Sequence, residues 1–102
     1  MNQLILDKRA RIEEICRRRG VRRIELFGSA AGSSFDLSRS DLDFLVTFHE
    51  LGPGTYADAY FGLLEDLQDL FGRPIDLVVE SAIQNPYFRE AIERTRTLIC
   101  EA

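Results

Sequence analysis

The run Asp41-Leu42-Asp43-Phe44-Leu45-Val46-Thr47-Phe48 restricts this chain more than any other segment. Its β-branched and aromatic residues span too few positions for a core helix, and they read as a strand over 41–48. Shorter runs of the same kind stand at 22–27, with Ile24, Leu26 and Phe27, and at 75–79, with Ile75, Leu77, Val78 and Val79. Helical periods lie between and around them. Ile5, Ile12, Ile15 and Cys16 recur within 4–19, closed by Gly20, with Arg17, Arg18 and Arg19 in the last turn opposing the negative end of the helix dipole. After the break at 51–54, Tyr56, Tyr60, Leu63, Leu64, Leu67, Leu70 and Phe71 mark a second helix, ended by Gly72 and Pro74. Asn85 followed by Pro86 is an N-cap with proline at the first helical position, and Phe88, Ile92, Thr95 and Ile99 continue at helical spacing. The spacing predicts a last helix running through Ile99. The expected architecture is α/β: a small mixed sheet of three to four strands flanked by helices.

A chain of 102 residues with 45% hydrophobic content is sized for one domain over 1–102. No apolar run reaches the roughly 18–20 residues of a membrane span, and the N-terminal residues lack the pattern of a secretory leader, so a cytoplasmic protein is expected. Cys16 and Cys100 stand far apart with no metal-type spacing and are expected to be reduced, packed thiols. The net charge is −4, but residues 1–23 hold eight of the thirteen Lys and Arg. That distribution does not describe a uniformly basic nucleic-acid binder, and direct nucleic-acid binding is not expected.

Asp41 and Asp43 need an explanation. Side chains at i and i+2 of a strand project to the same face, and aspartate is depleted in strands. Two carboxylates among Leu42, Phe44, Leu45 and Val46 repel each other and lose solvation. Asp76 stands in the third strand among similarly apolar neighbours. If the two strands are adjacent, three carboxylates converge, a donor set suited to hard divalent cations such as magnesium, which finish their coordination with water and phosphate oxygens. The alternative is that all three are acids at strand ends near solvent. Gly28 and Ser29 follow the first strand, where a glycine lets backbone N–H groups approach a phosphate.

These segments, Leu26-Phe27-Gly28-Ser29, Ser40-Asp41-Leu42-Asp43-Phe44-Leu45-Val46 and Pro74-Ile75-Asp76-Leu77-Val78, resemble the hallmark of the DNA polymerase beta-like nucleotidyltransferase superfamily. The likeness is greatest to its minimal nucleotidyltransferase group, and it extends over residues 5–100. The resemblance implies that Asp41, Asp43 and Asp76 bind Mg²⁺, with Mn²⁺ as a substitute. It implies that Asp76 accepts the proton of the incoming hydroxyl, and that Gly28 and Ser29 hold the β- and γ-phosphates of ATP or another nucleoside triphosphate. The implied reaction moves a nucleoside monophosphate, AMP from ATP, onto a hydroxyl and releases pyrophosphate. Minimal members of this kind pair with a helical HEPN-type toxin and act as its antitoxin, by contact or by attaching AMP to it. Many of them read Gly-Ser-x-Ala-Arg-Gly; this chain has Ala31-Gly32-Ser33 there, with no arginine until Arg39, and a spacer one residue longer than usual. A non-catalytic binding module of the same fold is the alternative. The apolar set of the second helix exceeds one core-facing stripe, and Phe61 lies off it, so contact with another chain, a toxin or a second copy, is expected there.

Overall fold

The computed structural model describes residues 2–31 and 41–102, without the side chains of Ser29 and Ala30. Helix α1 spans Gln3–Arg19, strand β1 Val21–Phe27, β2 Leu42–Phe48, α2 Tyr56–Phe71, β3 Ile75–Val79, α3 Pro86–Glu93 and β4 Thr97–Glu101. Single 3₁₀ turns follow β1 at Gly28–Ala31 and β3 at Glu80–Ala82. The sheet order is β3-β2-β1-β4; β2 and β3 run parallel, and β1 is antiparallel to both its neighbours. The mixed sheet flanked by helices agrees with the architecture expected from the alternating periods.

Each boundary has a local cause. The Asn2 side chain accepts a hydrogen bond from Leu4 N (2.8 Å) and so starts α1. Gly20 ends it at φ 73°, with its N–H bonded to Cys16 O. Asn85 accepts from the backbone N–H groups of Tyr87 and Phe88 at the start of α3.

Strand alternation divides the core between two faces. Leu26, Phe44, Val46 and Leu77 point with Ile12, Leu63 and Leu67 toward α1 and α2. Phe27 and Leu45 point the other way, against Ile92 of α3. The helices α1 and α2 are tied together by Arg19, whose Nε donates to Asp66 Oδ2 (2.7 Å). A Cβ on Gly62 would strike that guanidinium, so the glycine in mid-helix makes room for the tie.

The chain departs from expectation at its C-terminal end. The predicted helix through Ile99 stops at Glu93, and Thr97–Glu101 is a strand paired with β1. Ile92 and Ile99 are seven positions apart, a spacing compatible with two helical turns or with burial on separate elements. Three interactions decide for the strand: ladder bonds along the otherwise open edge of β1, the Thr95 hydroxyl taken by Gly28 N, and Arg96 drawn onto Glu25. The β4 ladder slips once. Ile24 opposes Cys100 and Glu25 opposes Leu98, so Ile99 is the extra residue of a β-bulge. The strand expected over 41–48 begins one residue later, at Leu42, and leaves Asp41 at its entrance.

Candidate active site

The parallel pairing of β2 with β3 places Asp43 directly opposite Asp76. In-register neighbours on adjacent strands lie about 4.8 Å apart, so the two carboxylates share one patch of the sheet. Asp43 also pairs across to Phe27 on β1, one residue before Gly28. The site therefore lies at one end of three adjacent strands, on the sheet face that α3 covers.

Packing against Phe27 and the adjoining carboxylates leaves Asp43 only partly solvated. Burial pushes its carboxyl up to about 7, with further upward contributions from a hydrogen bond to Asp76 and from the charges of Asp76 and Asp41. Asp43 thus sits in a patch where ionisation is opposed by its neighbours. A cation between them would relieve the same repulsion. Oxygen donors in mutual repulsion thus fit a hard divalent cation.

The expected carboxylate trio is assembled only in part. Asp43 and Asp76 are together, while Asp41 is exposed at the strand entrance. Among the described residues no group of three or more His, Cys, Asp and Glu is close enough to hold a metal ion. Phosphate oxygens and water would have to supply the remaining coordination, as is usual for magnesium.

Gly28 adopts φ 73°, which L side chains rarely enter. A Cβ there would overlap Asp43 Oδ2, so glycine keeps the backbone against the carboxylate. Its N–H donates to Thr95 Oγ1 (2.9 Å). This anchor carries no sequence motif, and the spacing of Phe88, Ile92 and Thr95 marks Thr95 only as a helix position. The side chain of Ser29 and residues 32–40, including Arg39 and the altered run at Gly32 and Ser33, lie outside the described residues.

A cleft of about 390 Å³ opens beside the two carboxylates. Its walls include Phe27, Phe88, Tyr60 and Leu77. Phe27 and Phe88 meet edge to face at 6.1 Å, and Tyr60 donates its hydroxyl to Leu77 O (2.7 Å). An aromatic-walled cleft over paired carboxylates can take a flat ring next to a metal-bound phosphate. Behind the site, Arg96 grips the buried Glu25 with two bonds (2.9 and 2.6 Å) and Glu80 with a third (2.9 Å). Those carboxylates hold the guanidinium pKa above its ordinary value. The network fixes the corner that carries Thr95.

The nucleotidyltransferase domain family matches residues 9–99. This chain belongs to that family. It is a nucleotidyltransferase, and the likeness read from Gly28, Asp43 and Asp76 is shown for nearly the whole chain. A Methanocaldococcus jannaschii protein named as a candidate protein adenylyltransferase, MJ0128, is 40% identical over 73 residues, covering 72% of this chain and 70% of that protein. A solved structure described as a candidate minimal nucleotidyltransferase is 30% identical, with a TM-score of 0.72 and 95% of each chain covered. The fold is also shared with a chain in the structure of a tri-AMPylated Shewanella oneidensis HEPN toxin in complex with its MNT antitoxin. That match has a TM-score of 0.64 and 18% identity, and covers 100% of this chain and 74% of the other. Among the described residues no helix is long and apolar enough to cross a membrane.

Proposed function

We propose that this nucleotidyltransferase moves AMP from ATP to a hydroxyl of a partner protein, a helical HEPN-type toxin, and so serves as its antitoxin. The observation that supports this reading best is the in-register Asp43–Asp76 pair beside Gly28, on a fold shared with a chain of an AMPylated toxin complex. The name of the M. jannaschii relative supports a protein as acceptor.

In this mechanism Asp43 and Asp76, with Asp41 at the entrance, would hold Mg²⁺ against the triphosphate. The metal, when bound, neutralises charge on the reacting phosphate and on the departing pyrophosphate. Gly28, whose own N–H is bonded to Thr95, lets the triphosphate approach the backbone at the start of the 3₁₀ turn, and Ser29 holds the β- and γ-phosphates. The α-phosphorus forms a bond to the acceptor oxygen and loses its bond to the pyrophosphate oxygen. Asp76 is exposed and takes the hydroxyl proton. The aromatic walls seat the base or the acceptor ring.

The test is incubation of the chain with ATP labelled on the α-phosphate, Mg²⁺ and the candidate partner. Label on the partner, absent with Asp43→Asn, is the expected result. Tight partner binding with no label at any Mg²⁺ concentration would replace this reading with the contact-only module. Chelation should abolish the transfer, and Mn²⁺ should restore it.

A further inference from the structure

Two thiols meet on the sheet face opposite Asp43. Cys16 is buried in α1, and Cys100 is half-buried on the edge strand β4. Their Sγ atoms are 4.0 Å apart although 84 residues separate them in sequence. Regular alternation would have sent either Ile99 or Cys100 to the α3 face. The bulge turns both toward α1, so the same irregularity that buries Ile99 also delivers Cys100 to Cys16. A surface cleft of about 210 Å³, bordered by Glu13, Arg17, Arg22 and Glu101, is lined by both cysteines.

We propose that Cys16 and Cys100 form a reversible thiol–disulfide site, oxidised by small-molecule disulfides, that fastens α1 to β4. The inference is independent of the transfer reaction. The hydrogen bond between the thiols and burial push Cys16 far up. The same bond holds Cys100 below its ordinary value; Arg9 and Arg17 act in the same direction, while burial and Glu13 oppose. Cys100 is also the more accessible sulfur, so it is the first nucleophile. Its thiolate attacks a disulfide RSSR, forms Cys100–S–S–R and expels RS⁻. Cys16 then loses its proton and attacks Cys100 Sγ, forming the protein disulfide and expelling the second RS⁻. The two protein thiols lose two electrons and RSSR gains them, giving two RSH once protons are exchanged with water. A side-chain rotation closes the remaining gap, since a disulfide needs about 2.05 Å between sulfurs.

The experiment uses the full chain equilibrated over a series of oxidised-to-reduced glutathione ratios, quenched with acid, alkylated and weighed intact. The expected product is a monomer that has lost both alkylation sites and carries no glutathione. Its half-oxidation ratio should lie about tenfold or more toward reducing conditions relative to the same chain in concentrated guanidinium chloride, because the fold holds the thiols together. Cys16→Ser should stop at a glutathione adduct on Cys100, and Cys100→Ser should remain unmodified while folded. The oxidised chain should melt above the reduced one. Two free thiols at every ratio, an adduct that never resolves in the unsubstituted chain, or equal half-oxidation ratios folded and unfolded would each overturn the proposal.

Discussion

Replacing Gly28 with alanine probes the closest approach in the site. Two independent penalties follow from the geometry. The backbone stays at φ 73°, which places an L residue in the left-handed region at about 1–2 kcal/mol. The new methyl also overlaps Asp43 Oδ2, so the carboxylate must leave its rotamer while Phe27 and Asp76 crowd it on either side. An off-rotamer side chain adds about 0.5–1.5 kcal/mol. The sum is about 2–3 kcal/mol, or roughly 8–20 °C in melting temperature for a domain of this size. The two penalties separate in a double-mutant cycle. With Asp43→Ala already present there is no carboxylate to strike, and Gly28→Ala should lose only the backbone penalty. A coupling of about 1 kcal/mol is therefore expected between the positions. Urea denaturation of the four proteins measures it. Strict additivity, or a Gly28→Ala protein as stable as the parent, would refute the contact. Nucleotide transfer by Gly28→Ala at the parental rate would refute the role given to the Asp43 position.

Asp43 also fixes a pH signature. Its folded pKa, about 7, lies above the unfolded value, so the folded state retains a proton that the unfolded state gives up. The penalty is absent below pH about 4, grows as pH rises, and is complete above pH about 7. Full conversion would exceed 3 kcal/mol, but solvent access reduces it to about 1–2 kcal/mol. In chelator-treated buffer Asp43→Asn should therefore be more stable than the parent by that amount at pH 8 and equal to it at pH 4; a gap independent of pH would reject the coupling. Thr95→Val keeps the shape but leaves Gly28 N–H without its acceptor, so a loss of about 1–2 kcal/mol is expected, with Thr95→Ser restoring most of it; a valine variant of parental stability would remove the anchor. Arg96→Ala leaves Glu25, which is only 6% exposed, with just the longer contact to Arg23 (3.4 Å), and should destabilise by about 2–3 kcal/mol in thermal unfolding. Adding Glu25→Gln should recover part of that loss, and no recovery would argue against an under-compensated buried charge as its cause.

The parts of the fold legible in sequence were those set by local period. Alternation marked β1, β2 and β3, and the apolar face of α2 with its terminal Gly72 marked that helix to the residue. Gly28 and the Asp43–Asp76 pairing were legible because a glycine after one strand and carboxylates in two others leave few neutral explanations. β4 was not legible. Ile92 and Ile99 satisfy a helical spacing, and neither glycine nor proline breaks the stretch between them. What breaks it is distant: Glu25 lies 71 residues from the Arg96 that it holds, and Gly28 lies 67 from Thr95. The meeting of Cys16 with Cys100 was hidden for the same reason, since it depends on a bulge that pairing with β1 imposes. The exposure of Phe61, at 64%, agrees with its place off the apolar stripe of α2.

The anchor on Gly28 has a consequence for how the protein is made. Phe27, Gly28, Asp43, Asp76 and Phe88 are all translated before residue 95. A nascent chain that has emerged only as far as α3 already carries the cleft's carboxylates and aromatic walls, but it has no acceptor for Gly28 N–H, and Glu25 has only Arg23 at 3.4 Å in place of the two bonds from Arg96. The edge of β1 is also still open. The corner before β4 supplies the anchor, so the turn beside Asp43 is fastened only once residues 95–101 have joined the sheet. Order in the site therefore depends on a segment that follows every residue of the cleft in the chain.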